Sequence, residues 1–256
     1  MSNGGSILPK STTKTAKGRQ KKPLVMMFNR RTFLRGALRF VGVFFAILVF
    51  VPAFLLLIYK VEIVRPISTL MIQEAIIGNG MQRQWIEFED VSPALYRSIV
   101  MSEDGKFCSH NGVDWEALNA VIEDAIDGEK TRGASTITMQ LMKNLFLWPD
   151  RSYIRKAMEI PYALMADFIL SKKRIMEIYL NVAEWDQGVF GAEAAARTYF
   201  GTSASRLSSR NAALLTVTLP NPKKRNAAKP TNHMRKIANI VRHRANASGA
   251  YVACLK

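Results

Sequence analysis

Cysteine is scarce in this chain of 256 residues: only Cys108 and Cys254 occur. Neither sits in a CxxC or other metal-ligand spacing, which excludes thiolate metal centres and dithiol redox motifs, and no protein-built metal site is expected. The two lie far apart and Cys254 is almost terminal. A bridge between them is permitted in an oxidising compartment but is not expected from this spacing. Acidic residues are missing altogether before Glu62. Long alternating β-branched runs are missing too, which excludes a large sheet; Trp85–Phe88 is the single strand-like scrap. No internal repeat is visible.

What the chain does have is an uncharged apolar run, Val41 to Tyr59. A helix needs about 20 such residues to cross the hydrocarbon layer, so this run is long enough. Ten Lys and Arg residues precede it. The positive-inside bias then leaves the N-terminus in the cytoplasm and sends everything after Lys60 to the other side. A cleaved signal peptide fits less well: its apolar core runs about 7–15 residues and ends at a small-residue cleavage site. Here the run ends Leu-Leu-Leu-Ile-Tyr-Lys. The expected organisation is a basic disordered cytoplasmic tail at 1–36, a transmembrane anchor at 37–60 and one domain at 61–256. Because ten of the sixteen excess positive charges sit in the tail, the basic balance is a topology signal, and no nucleic-acid partner is expected.

From Ser92 onward the pattern is helical. Ser92 suits an N-cap with Pro93 at the first helical position. Asp114 caps a second helix with Leu118, Val121, Ile122 and Ala125 facing inward, and a third begins after Gly133-Ala134-Ser135-Thr136. A fourth runs from about Ser152 to Leu170, kinked at Pro161. Ser171 caps Lys172–Asn181, and an Ala-rich helix Gly191–Phe200 stops at Gly201. Asn211–Leu219 stops at Pro220, and Thr231 opens a basic last helix with Met234, Ile237 and Val241 on one side. Ile63–Ile77 reads either as an amphipathic membrane-surface segment or as a buried core helix. The domain is mainly α.

Three segments carry chemistry. In the first, Glu103 and Asp104 follow the end of an apolar helix, ahead of Phe107 and His110. The negative end of the helix dipole and the neighbouring acid both favour the protonated form of Glu103 and raise its basicity. Solvated loop acids would look the same. In the second, Thr131–Asn144 is a small, hydroxyl-rich loop feeding a helix N-terminus, a frame for phosphate. Gln140, Lys143 and Asn144 follow on one helical face, although a capped helix with a solvated face is an equal reading. The third, Asp150–Glu159, sets Arg155 and Glu159 at i, i+4, either a surface ion pair or part of a cationic cluster around a diphosphate.

In this order and spacing the segments resemble the family 51 peptidoglycan glycosyltransferases, and among them the monofunctional biosynthetic peptidoglycan transglycosylases. The family pattern E-D-x-x-F-x-x-H-x-G is met by Glu103, Asp104, Phe107, His110 and Gly112. G-x-S-T-I-T-x-Q-L-x-K-N is met by Gly133 through Asn144, and R-K-x-x-E by Arg155, Lys156 and Glu159. A K-x-x-I-x-E-x-Y-L-N segment follows at Lys172–Asn181, and A-A-L-L…L-P-N-P at Ala212–Leu215 and Leu219–Pro222. The resemblance covers about Pro66 to Pro230. Met139-Gln140 stands where the family usually has Gln-Gln, and Gly133-Ala134 where it often has Gly-Gly, which puts a substrate contact at Met139 in doubt.

The resemblance implies a single-pass transmembrane helix followed by a lysozyme-like, α-helical, two-lobed glycosyltransferase domain. It implies polymerisation of lipid II, a disaccharide-pentapeptide on undecaprenyl diphosphate, into linear glycan with inversion and loss of the lipid diphosphate. Glu103 would be the general base and Glu159 a second catalytic carboxylate. Ser135, Lys143 and Arg151 would hold the donor diphosphate. Further substrate contacts would come from Asp104, Phe107 and His110, and from Thr136, Gln140, Asn144 and Arg155. No cofactor is required by the resemblance, which leaves open a divalent cation, Mg or Mn, at the diphosphate. Implied partners are lipid II, the growing lipid-linked glycan, the membrane and other cell-wall synthases. The implied location is the inner membrane, N-terminus cytoplasmic and catalytic domain periplasmic. No penicillin-binding domain is expected after Pro230, hence no cross-linking activity. Two rivals stand beside this reading: a lysozyme-like lytic enzyme and a non-catalytic, membrane-anchored module for anionic polymer.

Overall fold

The computed structural model describes Met1 and residues 30–78, 80–129, 133–150 and 152–256, with side chains of the first helix described from Leu34. Most of the expected cytoplasmic tail, with Thr131, Arg132 and Arg151, lies outside the described residues. The chain divides into two compact units, 1–45 and 46–256, and the boundary falls inside the first helix. That helix, α1 (Arg30–Tyr59), begins earlier than the tail boundary at 36 suggested, because Thr32-Phe33-Leu34 continue the helical pattern with no breaker. Within it, Leu34–Tyr59 is long and apolar enough to cross a bilayer.

The second unit opens with α2 (Thr69–Ile77), capped by Ser68, whose hydroxyl accepts from the Met71 amide, and closed by Gly78 in the left-handed region. It combines the two readings of its sequence: Met71 and Glu74 are buried, while Ile72, Ile76 and Ile77 are exposed. Then come β1 (Gln82–Arg83), α3 (Pro93–Glu103) and α4 (Trp115–Ile126). Trp85–Phe88 is not a strand: the Ile86 backbone is held by the Asn181 side chain, and Phe88–Asp90 forms a 3-10 turn. Ser92 precedes α3 but its hydroxyl donates to the Leu207 carbonyl instead of capping. Asp114 does cap α4. The apolar stripe of α4, expected inward, is so only in part: Leu118 packs half-buried against the main core and Val121 is half-buried, but no residue of this helix is buried, and Ile122 and Ala125 are exposed. Periodicity fixes a face but not what covers it.

Next come α5 (Ile137–Phe146), α6 (Tyr153–Ile169) and α7 (Lys172–Val182), capped by Thr136, Ser152 and Ser171. Pro161 lies inside α6, one turn or more from its start. Every residue of α7 from Arg174 to Val182 is buried, which makes it the central helix, with α5 and α6 packed beside it. After α7 run β2 (Glu184–Asp186), β3 (Val189–Phe190), α8 (Ala192–Phe200), α9 (Ser209–Thr216) and α10 (Asn232–Asn246). The strands form a small sheet in the order β1-β3-β2, β1 parallel and β2 antiparallel to β3, with a bulge between Glu184 and Asp186. The main apolar core gathers α3, α5, α6, α7 and α8, and a second cluster joins α9 to α10 through Leu214, Val217, Met234 and Val241.

Three local features hold the loop after α3 and the start of the domain in place. Gly112 has φ +82°, and a Cβ there would meet the Ala163 carbonyl oxygen of α6 at 2.3 Å, so only glycine lets the loop after α3 lie against α6. Cys108 and Cys254 are joined in a disulfide that ties the C-terminus to that same loop, the pairing that spacing did not predict. Arg174 donates to the carbonyls of Tyr59, Val61 and Val64 at 2.8, 3.1 and 2.6 Å and to Glu177 at 2.8 Å, which pins the exit of α1 onto α7.

Candidate active site

Glu103 ends α3 with its side chain half-buried. One carboxylate oxygen accepts from Gln140 Nε2 at 3.2 Å and the other from Ser102 Oγ at 3.2 Å. Gln140 is itself oriented by buried Tyr179, whose hydroxyl donates to Gln140 Oε1 at 2.9 Å. α7, α5 and α3 thus form one relay ending on the carboxylate. Burial is the main cause that raises the Glu103 pKa; the bonds from Gln140 and Ser102 and the Arg225 charge pull it back, and the Asp104 charge adds a small rise. The expected direction holds, but the leading cause is desolvation and not the adjacent acid.

Asp104, Phe107, His110 and Thr136 hold the loop that follows Glu103. Buried Asp104 lies 2.9 and 3.0 Å from His110 Nε2 and accepts from the Ile137 amide at 2.9 Å, fixing the loop after α3 to the first turn of α5. Phe107 is fully buried, edge-on to His110, with Lys172 Nζ 4.8 Å from its ring centroid. Lys172 also donates to the His110 carbonyl at 2.6 Å. Thr136 donates to the Gly112 carbonyl at 2.6 Å while accepting from the Met139 amide. Substrate contact was expected of all four; Asp104, Phe107 and Thr136 are buried and His110 is half-buried. Met139 is fully buried, so its side chain offers no contact.

The cations gather on the other side of Gln140. A cavity of about 470 Å³ is lined by Ser135, Gln140, Lys143, Arg155, Lys156 and Glu159, with Ser152 and Tyr153 at its rim. Lys156, which the sequence placed in a motif but not in the site, donates to Ser135 Oγ and to Glu159 Oε2, the latter at 2.7 Å. Arg155 donates to Glu159 Oε1 and, through Nε, to the Asp150 carbonyl at 2.8 Å. Glu159 is 2% exposed and both its oxygens are taken by these cations, so it orders them and presents no free carboxylate. Burial lowers the Lys143 pKa; Glu159 opposes this, and the Arg155 and Lys156 charges reinforce it. Three cations therefore face one carboxylate in a partly desolvated cavity, and an entering anion would relieve that imbalance. Asn144 lies apart from this cavity and lines an adjoining one of about 220 Å³ with Gln140, Lys143, Tyr179 and Glu184. Arg151 falls outside the described residues.

Of the residues lining the cavity, only Glu159 is of the kind that ligates a divalent cation. Among the described residues no three His, Cys, Asp or Glu side chains group as metal ligands, and the cavity's one carboxylate is already paired twice. Of the residues that sequence reasoning missed, Lys156 had a signal, the i, i+3 spacing to Glu159. Tyr179 stood in the Lys172–Asn181 motif without a role, and Arg225 had no signal, because their effect on Glu103 depends on tertiary placement.

Comparison with known proteins places the geometry among relatives. Residues 70–246 match a family model described as Transglycosylase. A biosynthetic peptidoglycan transglycosylase of Brucella suis biovar 1 is 59% identical over 210 residues, 82% of this chain and 94% of that protein. Proteins of the same name from Rhizobium meliloti and Mesorhizobium japonicum are 53% and 51% identical, covering 88% and 89% of this chain and 95% and 97% of theirs.

Proposed function

The chain belongs to the transglycosylase family, whose work is the polymerisation of peptidoglycan glycan strands, and on that premise we propose how its own residues carry the reaction. Glu103 is the general base, taking the proton from the 4-hydroxyl of the acceptor sugar of lipid II. That oxygen attacks the anomeric carbon of the growing lipid-linked chain from the face opposite the leaving group, so configuration inverts as undecaprenyl diphosphate departs. A carboxylate desolvated enough to have a raised pKa is a stronger base, which suits proton abstraction near neutral pH. Lys143, Arg155 and Lys156, with Ser135, take the diphosphate, whose negative charge grows as the bond to the sugar breaks. Glu159 keeps Arg155 and Lys156 aimed into the cavity as a positioning residue. No step is routed through a metal.

The observation that carries this reading is the Gln140 bridge, one side chain that touches the Glu103 carboxylate and also lines the cationic cavity. It supports a synthetic enzyme over a lytic one, since hydrolysis of finished glycan has no diphosphate to hold. The domain works at the outer face of the inner membrane, in the periplasm: the basic segment before α1 and the disulfide, which needs an oxidising compartment, support that orientation. The test is the Glu103→Gln variant of the full chain in detergent, assayed for polymer made from lipid II. Polymer is expected to vanish while circular dichroism and the melting temperature persist; polymer at an appreciable fraction of the wild-type rate would refute the assignment.

A further inference from the structure

The carboxyl-terminal quarter of the chain is one-sided in charge. No Asp or Glu follows Glu193, while twelve Lys and Arg do. Most of these can be solvated singly, but four arginines are drawn together where α3, α9 and α10 pack. Arg210, Arg235 and Arg242 line a cavity of about 200 Å³, floored by Leu214 and Ala238. Arg242 also lines the next, of about 180 Å³, with Arg97, Ser98, Ser209 and Asn246.

The polar groups here are short of partners. None of the four arginines has an ion pair among the described residues. Ser98 is 1% exposed, and its hydroxyl and the buried Arg97 Nε both lack a hydrogen-bond partner. A buried hydroxyl and guanidinium nitrogen left unpaired are costly, and their natural complement is an acceptor entering the cavity they line.

We propose that α3, α9 and α10 form a second anion site, separate from the catalytic cavity, which takes a phosphate group at Arg242, the residue common to the two cavities, with Arg97 and Ser98 lining one and Arg210 and Arg235 the other. It shares no residue with the catalytic cavity. Phosphate is favoured over carboxylate because the donors come from three helices, around the ligand, and not from one plane. A tetrahedral group with oxygens on several sides can meet such donors, whereas a planar carboxylate offers two oxygens in one plane. Guanidinium is the side chain suited to that bidentate contact. Each cavity has room for a phosphate with a short ester arm but not for a folded peptide. The phosphate can belong to a lipid headgroup or to a soluble ester.

The full chain in neutral detergent is titrated by calorimetry with glycerol 3-phosphate and, separately, with micelles carrying short-chain phosphatidylglycerol. Because the catalytic cavity also holds cations, the readout is the binding event lost on Arg210→Gln/Arg242→Gln. Affinity for the phosphate probe at that event is expected to fall about ten-fold or more, with polymerisation from lipid II unchanged. Arg210→Gln/Arg235→Gln, which alters only exposed side chains, serves if the first variant melts early. Ser98→Ala is expected to weaken the probe while keeping or raising the melting temperature, since it removes a buried unpaired hydroxyl. Response to glycerol 3-phosphate alone assigns the site to soluble esters, and response to phosphatidylglycerol alone assigns it to the membrane surface. Variants that bind both probes as the wild type does would overturn the proposal. So would displacement by hexaglutamate at lower concentration than by phosphate, which would make the partner an acidic peptide.

Discussion

Tyr179→Phe removes one oxygen atom from the interior and tests the relay behind the proposed base. The Tyr179 hydroxyl donates to Gln140 Oε1 at 2.9 Å, which leaves the amide nitrogen to face Glu103 at 3.2 Å. Burial, helped by the Glu103 and Asp104 charges, holds the phenol pKa well above its ordinary value, so it donates throughout any assay range. Without that donor the Gln140 amide is free to turn over. If it divides evenly between two orientations, its bond to Glu103 weakens by RT ln 2, about 0.4 kcal/mol, and at 1.36 kcal/mol per unit the carboxyl pKa moves by about 0.3. If the flipped amide is preferred, its oxygen faces the carboxylate, and the shift approaches about one unit, the value of a lost hydrogen bond to a charged group. The sign is fixed: the Gln140 bond lowers the Glu103 pKa, so losing it raises the pKa. A base works only when deprotonated, so the acid limb of kcat/KM for polymer formation must move to higher pH. Stability should fall by only about 1 kcal/mol. The profile is measured from pH 5 to 9 beside the wild type. An acid limb that stays in place, or moves to lower pH while the rate falls, would refute the relay.

Three further outcomes are expected from the geometry. Lys156→Gln removes one of the cations on Glu159 and the contact to Ser135, and kcat/KM is expected to fall about ten- to a hundred-fold in steady-state polymerisation. Gly112→Ala forces a Cβ against the Ala163 carbonyl at positive φ and should cost about 3 kcal/mol, read by urea unfolding; an unchanged midpoint would contradict the close approach. Cys254→Ser opens a crosslink between residues 146 apart, for which chain entropy sets an upper value of about 5 kcal/mol. A reductant should lower the wild-type melting temperature to that of the variant and leave the variant unmoved.

Much of the helical frame was legible because its signals are local. Thr136, Ser152, Ser171 and Thr231 each cap a helix within one or two residues of where the sequence places it. The sheet was not legible, because its strands are two or three residues long and β1 pairs with a partner more than a hundred positions away. The α4 stripe shows the limit of periodicity: Leu118 and Ile122 share a face, yet nothing in the sequence says whether a neighbour covers it. In the site, the motifs named Glu103, Lys143 and Arg155, and the structure sets Gln140 between Glu103 and the cavity that holds the two cations. Which of the motif side chains are enclosed and which line the cavity was not legible, because burial is set by tertiary packing: Phe107, Asp104 and Thr136 are buried, and Lys156 lines the cavity.

The grip of Arg174 on three successive carbonyls has a mechanical meaning. A linker of free residues after α1 would leave Tyr59–Val64 to move independently of α7. Here the end of the α1 rod is welded at Tyr59, Val61 and Val64 to the helix that carries Tyr179. The last turn of α1 and the segment behind it therefore cannot shift without pulling on the helix that orients Gln140.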